Sequence, residues 1–221
     1  MRITAIEKQP RRRRANLFVD GAFALAASLE VVQASGLRPG DDIDASRLAE
    51  IHEAEARQAA MSTALRLLAY RPRSAVELKQ RLLRKGSGPA LIEETIQRLR
   101  DLALVDDEAF ARSWAESRDR TSPRGRRLVA WELQAKGVAR PVIAEAVAGL
   151  DDEDAAYRAA GRRAAALAGL PREDFHRRLS GFLLRRGFSG ETARATVARL
   201  WRETVANPNG DGEATGRNAN Y

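Results

Sequence analysis

The chain has 221 residues, 44% of them hydrophobic, with no cysteine, two histidines and a net charge of +8 carried mostly by arginine. That is enough apolar mass for one or two packed domains, but it excludes disulfides, thiolate metal sites and thiol catalysis, and His52 and His176 alone are poor material for a metal centre. A basic excess draws a protein toward polyanions, while the absence of any apolar run near the length of a membrane span or signal peptide predicts a cytoplasmic protein.

Residues 1–45 read as a small β-rich extension. "ANLFVDGAFALA" sets two apolar runs around Asp20-Gly21, a hairpin signal, and a further strand is expected from Arg2 to Glu7. Between them stand four consecutive arginines, Arg11, Arg12, Arg13 and Arg14. These are either a solvated loop or a contact for phosphates and acidic side chains; strand alternation would send them to both faces. Ser28 is placed to cap a short helix over "LEVVQAS", closed by Gly36, before a long helix over about 46–70.

From there the sequence repeats. Aligning Gly86, Gly137 and Gly187 in one column, 51 and 50 residues apart, puts apolar residues at matching positions throughout. Eight before the glycine stand Leu78, Val129 and Leu179; four before, Leu82, Leu133 and Leu183. Six, ten and thirteen after it come Ile92, Ile143 and Ala193, then Ile96, Val147 and Val197, then Leu99, Leu150 and Leu200. Steps of four and three place side chains on one helical face, so each unit holds two amphipathic helices flanking a glycine that closes the first of them. Lys85, Lys136 and Arg186 precede the glycines, where a cation meets the negative end of the helix dipole.

Start signals divide the chain in the same way. Ser74 with Glu77 has capping-box spacing, Ser122-Pro123 predicts a cap before a first-turn proline, and Leu170-Pro171 opens the third copy. Gly88-Pro89, Pro141 and Ser189 open the helices after the glycines. Further helices over about 107–119 and 152–168 are expected to start at Asp106 and Asp151.

The predicted fold is therefore mainly α: three tandem three-helix, helix-turn-helix-like repeats forming an elongated curved array behind the β-rich extension. The expected segments are 1–45, 46–104, 105–150, 151–205 and a polar, disordered tail over 206–221. Net charge by segment is 0 for 1–60, +5 for 61–104, +1 for 105–150 and +3 for 151–205, so the excess follows the repeats. Trp114, Trp131 and Trp201 lie on predicted helices and are expected in the core or between units.

Enzyme signatures are missing. There is no P-loop, "GSGPAL" follows a helix rather than a strand, and the acidic runs "VDDEAF" and "LDDEDAA" fall at unit starts, where capping explains them. No catalytic residue, metal site or cofactor is predicted.

Four stretches, "ALRLLAYRPRSAVELKQRLLRKG", "LVDDEAFARSWAESR", "RGRRLVAWELQAKGV" and "LLRRGFSGETARATVARL", resemble in order those of the RecX family of recombination regulators. The resemblance spans about 61–203, and "ITAIEKQPRRRRANLFVDGAFAL" is similar to the strand-forming extension of longer family members. It implies a non-enzymatic regulator that binds the RecA–DNA filament and mostly restrains ATP hydrolysis, strand exchange and coprotease activity. The implied chain works as a monomer, away from membranes, with low-specificity contact to single- or double-stranded DNA as a further partner.

Matching cations are Arg84 and Lys85 in the first unit, Arg126, Arg127 and Lys136 in the second, and Arg185 and Arg186 in the third, with Arg71, Arg73 and the N-terminal arginines secondary. One departure is the longer lead of the third unit, "AAGRRAAALAGLPRED". Two other readings stay open: a direct DNA-binding module, since helices around a glycine turn resemble a helix-turn-helix, and a helical scaffold for another acidic protein.

Overall fold

The computed structural model describes residues 1–206; the tail expected over 206–221 lies outside them but for Ala206. The chain divides into two compact units, Met1–Asp106 and a second beginning at Asp107.

In the first unit, β1 (Ile3–Lys8), β2 (Arg14–Val19) and β3 (Ala22–Ser28) form an antiparallel sheet with β2 central. Alternation works as expected along β2, where Ala15, Leu17 and Val19 are buried and the residues between them are not. Asp20 and Gly21 both take positive φ, 49° and 80°, the geometry of the two-residue turn that suits the twist of paired strands. Ser28 then caps α1 (Leu29–Ala34), its side chain accepting from the Val31 N–H.

The long helix α2 (Ala45–Tyr70) starts at Asp44, whose carboxylate accepts from the Arg47 N–H. It serves two cores. Near its start Ile51 packs with Ile3, Leu17 and Val31 under the sheet. About two and a half to three and a half turns later Ala60 and Ala64 pack with Leu78, Leu82, Ile96 and Leu99 of α3 (Ala75–Arg84) and α4 (Pro89–Asp101). The Ser74 hydroxyl accepts from the Glu77 N–H and the Glu77 carboxylate accepts from the Ser74 N–H, so the capping box is complete.

The second unit contains α5 (Asp107–Thr121), α6 (Arg126–Ala135), α7 (Arg140–Ala148), α8 (Asp152–Leu167), α9 (Arg172–Arg185) and α10 (Gly190–Trp201), followed by a π-helical turn, Arg202–Ala206. Asp151 caps α8, accepting from the N–H groups of Glu153 and Asp154. Two cores result. Phe110, Ala111, Val129 and Leu133 fill one; Ala156, Ala160, Phe175, Leu179, Leu183 and Val197 fill the other. The mainly helical fold of three three-helix units behind a three-stranded sheet is thus as expected.

Of the fifteen aligned apolar residues, all are buried except Val147 and Leu150, which pack half-exposed against the second copy's core. The three glycines take φ of 87°, 76° and 84°, a region that strains any side chain. Their closures are identical. In the first, the Gly86 N–H donates to Leu83 O and the Ser87 N–H to Leu82 O; Gly137 and Val138, then Gly187 and Phe188, repeat the pair.

Two local expectations change. Ser122-Pro123 does not open α6: the helix starts at Arg126 with Gly125 as N-cap, because residues 122–125 run instead against the end of α9. The long lead of the third copy is resolved as one added turn. α9 begins fifteen residues before its glycine, whereas α3 and α6 begin eleven before theirs.

Candidate functional site

Since the basic excess follows the repeats, the sites to weigh are the cations around the three glycine-closed helix ends. Lys85, Lys136 and Arg186 occupy the same C-cap position, and each does something different there. Lys85 is exposed beside exposed Arg84, whose Nε donates only to the Gln80 carbonyl of its own helix. Lys136 lies over the Trp114 ring, with Nζ 4.2 Å from its centre, and the Arg118 guanidinium also lies over that ring at 4.4 Å.

Arg186 is a joint. Its guanidinium stacks 4.8 Å from the centre of Phe182 and donates to the Pro123 carbonyl at 3.2 Å, and its backbone carbonyl accepts the Gly125 N–H at 2.9 Å. Its neighbour Arg185 is exposed. A cation at a helix end is therefore general to the repeat, while availability to a partner is not.

The remaining second-copy candidates also differ. The Arg126 N–H donates to the Asp152 carboxylate at 2.9 Å, while its side chain stays 3.9 Å from that group and half-exposed. Arg127 is exposed on α6. In the first copy, Arg71 grips Glu77 with two hydrogen bonds, 2.9 and 3.2 Å, which raises its already high pKa. Arg73 donates to the Leu67 carbonyl, and burial followed by the nearby Arg71 lowers its pKa. Both pin the loop between α2 and α3.

Only Arg14 of the arginine run lies in a strand, Arg11 to Arg13 forming the turn before it, so strand alternation does not divide the four. Arg14, on β2, ion-pairs with buried Glu55 of α2 at 2.8 Å and donates to the Ala26 carbonyl. Glu55 also accepts the Ser28 N–H at 2.7 Å, so this pair fastens the sheet to the long helix. Arg13 reaches Glu30 at 2.9 Å. Arg11, in the left-handed region at φ 59°, and Arg12 are exposed in the turn. Arg11, Arg12, Arg84, Lys85, Arg127 and Arg185 are therefore the candidates that are exposed and, among the described residues, outside any ion pair; Arg13 and Arg126 are exposed but paired.

Glu132 was not visible as a key residue from sequence. Its buried carboxylate accepts from the Trp114 indole and from Arg118, both at 2.8 Å, and pairs with Arg124. The signal was a carboxylate one residue before a core leucine, Leu133, amid arginines, where burial demands a partner. Exposed Arg158 is another residue that the sequence reading did not single out, bonding both Asp154 on its own helix and Asp119 of α5. The tryptophans divide too. Trp114 and Trp201 are packed, the latter edge-on to Phe175 at 5.1 Å, but Trp131 is 63% exposed, contrary to the expected burial, because no element among the described residues covers its side of α6.

Among the described residues no group of His, Asp and Glu is placed to hold a metal, and no helix is long and apolar enough to cross a membrane. Four family models match the chain in order. The RecX N-terminal domain covers residues 1–44, and the first, second and third three-helix domains of RecX cover 60–99, 106–147 and 151–197.

Relatives named Regulatory protein RecX include one from Chlorobium limicola, 37% identical over 143 residues, which are 65% of this chain and 90% of that protein. Another, from Levilactobacillus brevis, is 31% identical over 201 residues, 90% of this chain and 76% of the relative. The match to a relative from Lactobacillus johnsonii, at 32% identity, spans 69% of this chain and 56% of that protein. Crystal structures share the fold: one of a regulatory protein RecX has TM-score 0.65 at 24% identity, covering 86% of this chain and 96% of its own. RecX from Lactobacillus salivarius has TM-score 0.60 at 23% identity, covering 66% and 97%. With the N-terminal sheet and all three helical units matched in order, the chain belongs to the RecX family of regulatory proteins.

Proposed function

We propose that this protein binds along RecA–DNA filaments and restrains their ATP hydrolysis, strand exchange and coprotease activity, acting in the cytoplasm as a non-catalytic monomer. The observation that carries the reading is the set of accessible cations at glycine-closed helix ends, Arg84 with Lys85 and then Arg185, repeated along a chain whose family is regulatory. Repeated cations suit a partner that itself repeats, because several weak contacts act together once the first is made. Exposed ion contacts of this kind are screened by salt, so binding weakens steeply as ionic strength rises.

RecA-catalysed ATP turnover and strand exchange, measured with substoichiometric protein, test this. Inhibition with filament binding supports the reading; no effect on either activity together with no binding ends it. The paired helices around each glycine turn also favour a second reading, direct DNA binding without RecA. Tight, sequence-selective binding to naked duplex would select it.

A further inference from the structure

The second three-helix copy differs from the first at two columns of the repeat. Seven residues before and after its glycine, the first copy carries Lys79 and Glu93, which form an ion pair at 2.6 Å and tie α3 across to α4. The second copy carries Ala130 and Ala144 there, so no ion pair can span α6 and α7 at those two columns. The result is an open groove of about 500 Å³ lined by apolar Ile143 and bordered by Trp131. Arg127, one turn before Trp131 on α6, and Arg140, one turn before Ala144 on α7, also line it and are exposed. None of its lining residues is acidic.

We propose that this groove docks an acidic protein segment carrying an apolar anchor. The occupant follows from complementarity. An aliphatic floor beside an exposed tryptophan accepts a Leu- or Phe-sized side chain, and two guanidinium groups receive carboxylates on either side of it. Tryptophan and arginine are also the residue types that concentrate binding energy at protein interfaces, and an exposed apolar patch rimmed by polar groups marks such a site. Nucleic acid is the weaker fit: a base stacks on a ring face and has no use for the aliphatic cavity beside it. The proposal rests on the reading of the chain as a regulator that grips a protein.

The test uses the full chain and three fluorescent probes: a peptide with leucines at helical spacing among glutamates, a polyglutamate of equal length, and oligothymidylate. The wild type should prefer the leucine-bearing peptide to polyglutamate by about tenfold or more. Ala130→Lys with Ala144→Glu, which installs the first copy's ion pair across the groove, should abolish that preference. Trp131→Ala should do the same from an exposed position that the fold does not need.

Equal affinity for the two peptides in the wild type overturns the proposal, as does an unchanged preference in both variants. If the variants lose oligothymidylate binding instead, the groove is a nucleic-acid site and the proposal is wrong. RecA filaments form a separate arm. A wild type that keeps the peptide preference but ignores filaments removes the filament reading and leaves the groove standing.

Discussion

The backbone N–H of Gly125 donates to the carbonyl of Arg186 at 2.9 Å, joining the start of the second copy's middle helix to the end of the third copy's. The approach is so close that a Cβ on Gly125 would overlap the Gly187 carbonyl and stand 2.7 Å from Phe188 N. Gly187 in turn faces Leu128, where its own Cβ would lie 2.8 Å from the Leu128 backbone nitrogen.

Serine is ordinarily at least as good an N-cap as glycine. Gly125→Ser should nevertheless destabilise the protein by about 1–3 kcal/mol, because the added Cβ meets backbone that cannot swing aside. Gly88→Ser, at the N-cap of α4 with open space around it, should change stability by less than about 0.5 kcal/mol. Urea unfolding of the two variants makes the comparison; equal midpoints would contradict the close contact.

Neighbouring cations should separate binding from folding. Arg185→Glu, and Arg84→Glu with Lys85→Glu, alter exposed side chains, so filament affinity should fall while the melting temperature holds. Arg186→Glu should lower the melting temperature, since it removes the contacts to Ser122, Pro123 and Phe182. Cosedimentation with filaments at two salt concentrations, beside thermal melts, reads both effects. If Arg185→Glu and the first-copy double variant fold and bind like wild type, these helix ends are not the interface.

The repeat register also explains what could be read in the sequence. Fifteen apolar positions at fixed offsets predicted the helices and their buried faces, since burial of a stripe imposes its period on the sequence. Which cations are free was not legible, because Lys85, Lys136 and Arg186 share a column and differ only in what the fold brings near them. Gly125 shares the column of Ser74, twelve residues before the glycine, and so marked the true N-cap. Ser122-Pro123 outcompeted it on local chemistry alone. Trp131 was misplaced for the converse reason: periodicity gives a residue's angle on a helix, and not whether a neighbour covers that angle.

Adjacent leucines four and three residues before Gly86 and Gly187 should respond differently to truncation. Leu82 and Leu183 are fully buried, so Leu82→Ala and Leu183→Ala should each cost about 2–5 kcal/mol. Leu83 and Leu184 are 59% and 52% exposed, and their alanine variants should stay within about 0.5 kcal/mol of wild type. Denaturant midpoints for the four variants would expose any error in the register.

Glu132→Ala should be among the more damaging changes at a polar residue, at about 3–5 kcal/mol, because it strands Arg118 and Arg124 and the Trp114 indole without their shared acceptor. Glu132→Gln retains an acceptor for the indole and should cost less. A loss no larger than that of an exposed glutamate such as Glu145 would show that the cluster is not a structural anchor.

At the end of the described chain, the Glu203 carboxylate accepts from Arg199 Nε and from the Tyr157 hydroxyl, each at 2.8 Å, and so links α8 to the turn after α10. Arg199 first, then Tyr157, hold the Glu203 pKa below the ordinary carboxylate range; the hydrogen bond to Glu203, then burial, raises that of Tyr157. The signs differ at the two ends of the pH scale. A depressed carboxylate contributes stability that is full above its unfolded value, about 4.3, and is lost as pH falls through the lower folded value. A raised phenol contributes below about pH 10 and loses that contribution as pH climbs through its folded value. The link should therefore hold across neutral pH and loosen in both acid and strong alkali. NMR titration of the full chain checks this through the Glu203 carboxyl carbon and the Tyr157 ring, with Glu203→Gln removing the acid-side event. A Glu203 that titrates at the ordinary carboxylate value would show that the link does not form.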